Sequence, residues 1–218
     1  MASHSEENYL KAIFHLQKGK TEGVTTNALA EKLETKASSV SEMVKKLSGK
    51  KLVAYRKYQG VTLSEKGSKA AIEIIRKHRL WEYFLVEKLN FSWTEVHDVA
   101  EQLEHIRSEK LVLELDKFLG FPRKDPHGDP IPDTEGNFHT SEKMLLAETR
   151  PGQNGICVGV KDSSREFLEY LDKKGIALGK KITVRAREEF DHSLEIEMEG
   201  KIIHISGLIA RNLFIKTI

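Results

Sequence analysis

Cysteine is nearly absent from this sequence, since Cys157 is the only one among 218 residues. A single cysteine excludes an internal disulfide and any cysteine-rich zinc site, so a bound metal would have nitrogen and oxygen ligands. Apolar runs of membrane-spanning length are also missing, and the first ten residues lack the basic and apolar regions of a signal peptide. We therefore expect a cytoplasmic protein with no membrane partner.

The charge of the chain is unevenly distributed. The formal net charge is only +2, but residues 1–70 contain 13 Lys and Arg against 7 Asp and Glu. A basic excess at one end is typical of a module that binds nucleic acid, because lysine and arginine neutralise phosphates. Hydrophobic residues at 39% and charged residues at 31% otherwise indicate an ordinary globular protein with a buried core.

Apolar residues at helical spacing predict three helices in the N-terminal region. The first covers residues 6–18 and the second residues 26–33. We expect Ser38 and Ser39 to open the third helix and Gly49 to end it. Two short helices joined by a tight turn indicate a helix-turn-helix.

Shorter and longer elements follow this motif. Residues 52–63 alternate between apolar and polar side chains around a turn at residues 58–60, which predicts a β-hairpin and makes the module winged. A long helix is expected from Ser64 to about Leu89. A further helix, capped by Ser92 or Thr94, is expected over residues 95–106.

A proline-rich segment marks a change of pattern, since residues 121–138 hold four of the five prolines. Beyond Ser141, short alternating runs with one short helix predict a small all-β barrel of SH3-like type. The predicted fold class is therefore a mainly helical N-terminal part, with a winged helix-turn-helix and a second helical domain, followed by a small all-β SH3-like domain.

The predicted helix over residues 95–106 is rich in metal-ligating side chains. Two imidazoles and two carboxylates occur in this helix, separated in order by four, three and one residues. We expect them on one helix face because each residue turns by about 100°. The preceding helix carries a further His and Glu one turn apart. Such side chains also occur on solvated helix faces, but together these donors suit Mn(II) or Fe(II) better than tetrahedral zinc. The candidates are His97, Glu101, Glu104, His105, His78 and Glu82.

The order of these motifs is specific. The segments EENYLKAI, RKHRLWEYFL, VHDVAEQLEHI and DPHGDPIP, together with the helix-turn-helix, resemble the diphtheria toxin repressor family of metal-dependent regulators over nearly the whole chain. The resemblance implies a Mn(II)- or Fe(II)-dependent transcriptional repressor that binds operator DNA as a homodimer and controls metal homeostasis genes. It implies a DNA-binding domain at 1–70, a metal-binding and dimerisation domain at 71–140, and an SH3-like domain at 141–218.

The resemblance also implies a set of metal ligands. The primary ligands fall on Asn8, Glu101, Glu104 and His105, and the ancillary ligands on His78, Glu82 and His97, with a contribution near Ser163 and Glu166. At the position of Glu101, manganese-type members of the family have Glu and iron-type members have Cys. Asn8 and Lys11 stand where manganese-type members offer carboxylates, which leaves Fe(II) open. We expect Co, Ni, Zn and Cd to substitute in vitro.

Polar residues on the third helix and the wing are the candidates for DNA contact. Lysine and serine mainly contact phosphates, which position the protein without reading sequence. Glu42 and Ser38 are the candidates for base contacts. The full set is Lys36, Ser38, Ser39, Ser41, Glu42, Lys45, Lys46, Arg56 and Lys57.

Two other classes of function fit part of the sequence. A metalloenzyme could use the same carboxylates and imidazoles to activate water, but there is no nucleophile motif and no glycine-rich phosphate loop. A metal-independent winged-helix regulator that responds to an organic ligand would share the DNA-binding half. DNA binding before and after chelation distinguishes these alternatives from a metal-dependent repressor.

Overall fold

The computed structural model describes residues 2–17, 22–56 and 59–218. They form two compact units, one made of residues 1–78, 101–114 and 132–137 and the other of residues 79–100, 115–131 and 138–218. Within the described residues, every helix is too short or too polar to cross a membrane.

The N-terminal part of the first unit is a winged helix-turn-helix, as predicted. Its core packs around Leu10, Leu29 and Leu47, which are fully buried. The predicted end of the first helix at Lys18 and the tip of the wing at Lys57 and Tyr58 lie outside the described residues. The elements are α1 (His4–Gln17), α2 (Thr26–Lys32), α3 (Ala37–Gly49), β1 (Val53–Arg56) and β2 (Gly60–Leu63), with the two strands antiparallel.

Two helix starts differ from prediction. Helix α1 begins earlier because Ser3 and Glu6 form a reciprocal capping pair, in which the Ser3 N–H donates to the Glu6 carboxylate at 2.8 Å and the Glu6 N–H donates to the Ser3 hydroxyl at 3.4 Å. The prediction that Ser38 and Ser39 open α3 is wrong. The first bond of that helix runs from the Val40 N–H to the carbonyl of Lys36, which is the N-cap and gives no side-chain bond.

Three helices follow the wing, namely α4 (Glu65–Leu89), α5 (Val96–Leu103) and α6 (Glu109–Phe118). The hydroxyl of Ser64 accepts a bond from the Gly67 N–H at 3.0 Å and caps α4 as expected. Helix α5 is shorter than predicted, because the Ile106 N–H turns back to the Leu103 carbonyl at 3.1 Å. Two of the candidate ligands, Glu104 and His105, therefore lie in the turn after the helix, and the prediction of one shared helix face is wrong for them.

The C-terminal part of the second unit is an antiparallel sheet of six strands in the order β3-β8-β4-β5-β6-β7. Its core surrounds Leu146, Leu171, Ile196 and Leu213, which are fully buried. The all-β prediction is confirmed, but within the described residues the edge strands β3 and β7 are not paired with each other, so the sheet is open. The elements are β3 (Met144–Leu145), a 3-10 turn (Leu146–Glu148), β4 (Asn154–Val160), α7 (Arg165–Lys174), β5 (Lys181–Arg187), β6 (Leu194–Met198), β7 (Lys201–Ile205), α8 (Gly207–Ala210) and β8 (Leu213–Thr217).

The proline-rich segment is held against β4 by a tight turn. The carboxylate of Asp125 accepts bonds from the N–H groups of His127 and Asp129, both at 2.9 Å. The Val160 N–H donates to the His127 carbonyl at 3.0 Å. Gly128 has a φ of 85°, and a Cβ atom there would lie 2.2 Å from the Val158 carbonyl oxygen. Both the backbone conformation and the close approach to β4 require glycine at this position.

We expect Gly128→Ala to lower the free energy of unfolding by at least about 2 kcal/mol, because strain in the left-handed region adds to overlap with backbone atoms. Gly120→Ala is the matched control, since Gly120 has a φ of 74° and open space around its Cβ position. It carries only the conformational strain, about 1 kcal/mol. Thermal unfolding of both variants makes the comparison, and equal losses would show that the approach to β4 contributes nothing.

A buried carboxylate ties α1 to the end of α3. Glu6 has no solvent exposure, and its oxygens lie 2.8 Å from the Lys50 ammonium and 3.1 Å from that of Lys46. Burial raises the pKa of Glu6, but bonds from Lys50, the Ser3 N–H and Lys46 outweigh burial and lower it to about 2. The ionised carboxylate therefore stabilises the packing of α1 on α3.

The Glu6→Gln variant should be less stable than the wild type by about 1–3 kcal/mol at pH 7, because two lysines lose their charged partner. A glutamate in an unfolded chain has a pKa of about 4.3, so the wild-type advantage should disappear as the pH falls from there towards 2. Urea unfolding midpoints between pH 3 and pH 8 measure this trend. The exposed Glu65→Gln variant is the control, with an expected change within about 0.5 kcal/mol. A stability difference for Glu6→Gln that does not change with pH would contradict the assignment.

Candidate metal centre and nucleic-acid interface

The carboxylate of Glu104 is the centre of a cluster of charged side chains in the first unit. It has no solvent exposure. The ammonium of Lys11 on α1 lies 2.8 Å from both of its oxygens, and Nδ1 of His78 on α4 lies 2.6 Å from Oε2. Burial raises the pKa of Glu104, but the bond with His78 and the charge of Lys11 outweigh burial and lower it. The carboxylate is therefore an ionised oxygen donor.

Glu101 and His105 lie close to Glu104. The half-exposed Glu101 places Oε1 3.1 Å from the ammonium of Lys11. His105 directs Nε2 towards Glu104 Oε1 at 3.9 Å, while its Nδ1 lies 2.6 Å from Oε2 of Glu7 on α1. The ring of His4 stacks on that of His105 with the centroids 4.3 Å apart. The structure thus brings three of the four predicted primary ligands together.

Asn8 is the fourth predicted primary ligand. Its Oδ1 atom is buried and has no hydrogen-bond partner in the residues that the structure describes. A buried amide oxygen without a partner costs about 1–3 kcal/mol, so such atoms are rare unless they serve a ligand. An orphaned oxygen donor beside Glu7, one turn of α1 from Lys11, fits a metal centre built from oxygen and nitrogen atoms.

A second group of donors lies within the second unit. Glu82 on α4 is buried, with Oε1 3.5 Å from Nδ1 of the exposed His97 and Oε2 3.7 Å from Nδ1 of the buried His127. Glu82, Asp125 and His127 each offer a donor atom within 4.8 Å of the others, a spacing that suits one metal ion. Burial and the charges of Glu82 and Asp129 raise the pKa of Asp125. Burial lowers the pKa of His127, but its contacts with Glu82 outweigh burial and raise it to about 9.

The remaining predicted ligands are His78, Ser163 and Glu166. His78 lies four residues before Glu82 on α4 but bonds to Glu104 in the first unit. Glu166 is in the first turn of α7 and exposed, as is Ser163 just before that helix. Among the described residues, Glu166 does not belong to a group of histidine, cysteine or acidic side chains that could hold a metal ion.

The candidate DNA-contacting residues lie mostly on one exposed surface. Six residues at the start and on the outer face of α3 and one on β1 are exposed, and Lys57 lies outside the described residues. Ser41 is half-buried and its hydroxyl donates to the Ala37 carbonyl at 2.9 Å, while Lys46 is paired with Glu6. The exposed residues are Lys36, Ser38, Ser39, Glu42, Lys45, Lys46 and Arg56.

Sequence reasoning missed three polar groups in these sites. Glu7 approaches His105 because α1 packs beside the turn after α5, a contact between residues 98 positions apart. Asp125 and His127 were assigned only to a proline-rich boundary segment, and the motif DPHGDPIP held the signal that could have identified them. Acidic residues and a histidine between prolines and glycine form a fixed turn with its donors held in place.

Three family models match successive parts of the chain. The iron dependent repressor N-terminal DNA binding domain matches residues 1–61, the iron dependent repressor metal binding and dimerisation domain matches residues 64–133, and the FeoA domain matches residues 144–217.

Among proteins of known sequence, the iron-dependent repressor IdeR of Mycobacterium tuberculosis is 38% identical over 128 residues, which is 58% of this chain and 54% of that protein. The diphtheria toxin repressor of Corynebacterium diphtheriae is 33% identical over 128 residues, 58% of this chain and 55% of the relative. The match thus covers about half the length of these curated relatives.

A solved structure of a manganese-dependent transcriptional repressor in complex with manganese is similar along the whole chain. It is 35% identical, with a TM-score of 0.86, and the match covers 98% of this chain and all of the other. The sequence matches, the three consecutive family models and this full-length structural similarity agree. The chain therefore belongs to the diphtheria toxin repressor family of iron- and manganese-dependent regulators.

Proposed function

We propose that this protein is a metal-dependent transcriptional repressor that binds operator DNA as a homodimer in the cytoplasm, with Mn(II) or Fe(II) as the activating ion. The observation that carries the proposal is the orphaned, buried oxygen of Asn8 in a unit that also holds the ionised Glu104. Relatives described as iron-dependent and manganese-dependent repressors support it. Their function is repression rather than catalysis, and we propose the same here.

Four residues are proposed to hold the primary ion, namely Asn8, Glu101, Glu104 and His105. A bound divalent cation would supply positive charge to carboxylates that are otherwise neutralised only by side chains. Oε2 of Glu7 lies 2.6 Å from Nδ1 of His105, accepts its hydrogen bond and so orients the imidazole. A carboxylate behind a metal-ligating histidine fixes the ring and raises the basicity of the ligand.

Glu82 is proposed as the main carboxylate of a second cation site. Its two oxygens face His97 and His127 within the second unit, and Asp125 lies in the same group. The similar solved structures include one of the regulator ScaR with bound Zn²⁺, at 32% identity and a TM-score of 0.78 over 98% of this chain and 99% of that one. The ancillary roles of His78 and Glu166 remain predictions from the family resemblance.

The coupling between metal and DNA is proposed to run through the first two turns of α1. Glu6 binds the lysines at the end of α3, while Glu7 and Lys11 contact residues of the candidate metal centre. Any shift of α1 that accompanies metal binding would therefore change the position of the proposed recognition helix. By linkage, metal and DNA must then raise each other's affinity by the same factor.

The dimer contact is proposed to lie on the helices near residues 93–120. Leu111, Leu113 and Phe118 on α6 are large apolar residues that are exposed in the single chain. Leu111 and Phe118 are seven residues apart and so share one face of α6, and exposed apolar residues on one helix face indicate a protein contact. A dimer would present two copies of α3, whose separation must be near 34 Å to enter successive major grooves. We also retain the predicted domain bounds of 1–70, 71–140 and 141–218.

Glu104→Ala and His105→Ala should each weaken the metal stimulation of DNA binding at least about tenfold, since each removes a proposed donor. The probe is a duplex selected from random DNA by the Mn(II)-loaded wild type, and fluorescence anisotropy is measured with Mn(II) and after EDTA. His204→Ala, at an exposed position on β7, is the control and should behave as wild type. Wild-type DNA binding that is indifferent to EDTA would instead support a regulator that answers to an organic ligand.

Lys45→Ala should lower the affinity for the same duplex and reduce the slope of log affinity against log salt by about 1, because one phosphate contact is lost. Lys46→Ala should have a smaller effect, because the ammonium of Lys46 is already paired with Glu6 at 3.1 Å. Lys69→Ala, on α4 and paired with Glu65, is the control. If Lys45→Ala left the affinity and slope unchanged, α3 would not be the element that faces DNA.

A further inference from the structure

Lys11 lies where a metal ion is expected to gather its oxygen ligands. Its Nζ atom is 2.8 Å from both oxygens of Glu104 and 3.1 Å from Oε1 of Glu101. Only 14% of its side chain is exposed, so the ammonium is largely withdrawn from water. One cation thus contacts three carboxylate oxygens from two of the four proposed ligands.

The arrangement has a clear electrostatic cause. A buried carboxylate without a compensating charge is strongly destabilising, so Glu104 needs a cation whether or not a metal is present. Lys11 provides that cation from within the chain, together with the bond from His78. An ammonium has three donor hydrogens and no acceptor, which suits three oxygens but prevents coordination to a metal.

The same oxygens are those that a divalent ion would need. Oε1 and Oε2 of Glu104 both accept from Lys11, and Oε2 is also shared with His78. A metal ion close to these atoms would meet a like charge on Lys11 at short range, which is unfavourable in a partly buried site. The four-carbon side chain of lysine is flexible enough to carry its ammonium out to solvent.

We propose that Lys11 is a built-in competitor for the metal centre: its ammonium neutralises Glu101 and Glu104 in the metal-free protein, and a divalent ion must displace it to bind. This inference rests on the proposed function, since it assigns the regulation of the same centre. Lys11 thereby sets the metal concentration at which the centre fills. It stabilises the metal-free state and weakens metal affinity through the same three contacts.

The test is the Lys11→Met variant, which keeps most of the length of the side chain and removes its charge. Mn(II) alone is the probe, titrated at constant pH into EDTA-dialysed full-length protein and followed by calorimetry. The Mn(II) binding event that is present in the wild type and absent in Glu104→Ala identifies the centre. We expect Lys11→Met to bind that ion at least about tenfold more tightly than the wild type. Its metal-free form should unfold at a lower temperature, so the rise in Tm on adding Mn(II) should be larger.

Two further variants complete the design. Lys11→Arg keeps the positive charge and should retain the weak wild-type affinity for Mn(II). It provides a second test of the charge at this position if Lys11→Met folds poorly. Lys69→Met removes a lysine that pairs with Glu65 on an exposed face and should change neither affinity nor stability.

The outcomes separate this inference from the function on which it rests. If Lys11→Met lowers the Tm of the metal-free protein but leaves Mn(II) affinity unchanged, Lys11 has only a structural role and the inference is overturned. If Glu104→Ala binds as many Mn(II) ions as the wild type, the centre itself is wrong, and both proposals fail.

Discussion

The ionised carboxylate of Glu104 constrains the first unit, because it has no solvent exposure and its charge must be compensated from within the chain. The compensating groups are Lys11 of α1 and His78 of α4, which are far from it in sequence. Removing either partner would take away part of the compensation for a buried charge, which is destabilising. The position of α1 beside α4 and the turn after α5 therefore depends on the state of this single carboxylate.

Helix α1 also makes contacts with the end of α3, through the buried carboxylate of Glu6. The next residue, Glu7, bonds to His105 from a different face of the helix. Consecutive residues of an α-helix point about 100° apart, so one turn of α1 can contact both the end of α3 and the turn after α5. A rigid helix with two polar attachments transmits displacement better than a loop does. In the proposed repressor this makes α1 the physical connection between metal occupancy and the surface that faces DNA.

Local patterns predicted the elements well because their causes are local. Amphipathic spacing identified the helices, and alternation identified the hairpin and the C-terminal strands. The errors at the starts of α1 and α3 concern local capping, whereas the error at the end of α5 arose where distant residues decide the outcome. Helix α5 stops at Leu103, and the next residue, Glu104, is bound by Lys11 and His78, which no pattern within the helix reports. Likewise, the resemblance pointed to Asn8 as a ligand, but only the tertiary structure shows that its oxygen lacks a partner.

The choice between metals has to come from geometry and charge rather than from a soft ligand. Cys157, the one cysteine, is buried in the core of the second unit, and burial raises the pKa of its thiol to about 11. It is therefore a packing residue and not a thiolate donor. The proposed centres contain only carboxylate, amide and imidazole groups, for which affinities of divalent ions follow a common order that places Mn(II) and Fe(II) lowest. A centre of this composition responds selectively to Mn(II) or Fe(II) only if its ligand geometry disfavours the ions that bind more tightly, or if the cell keeps those ions scarce.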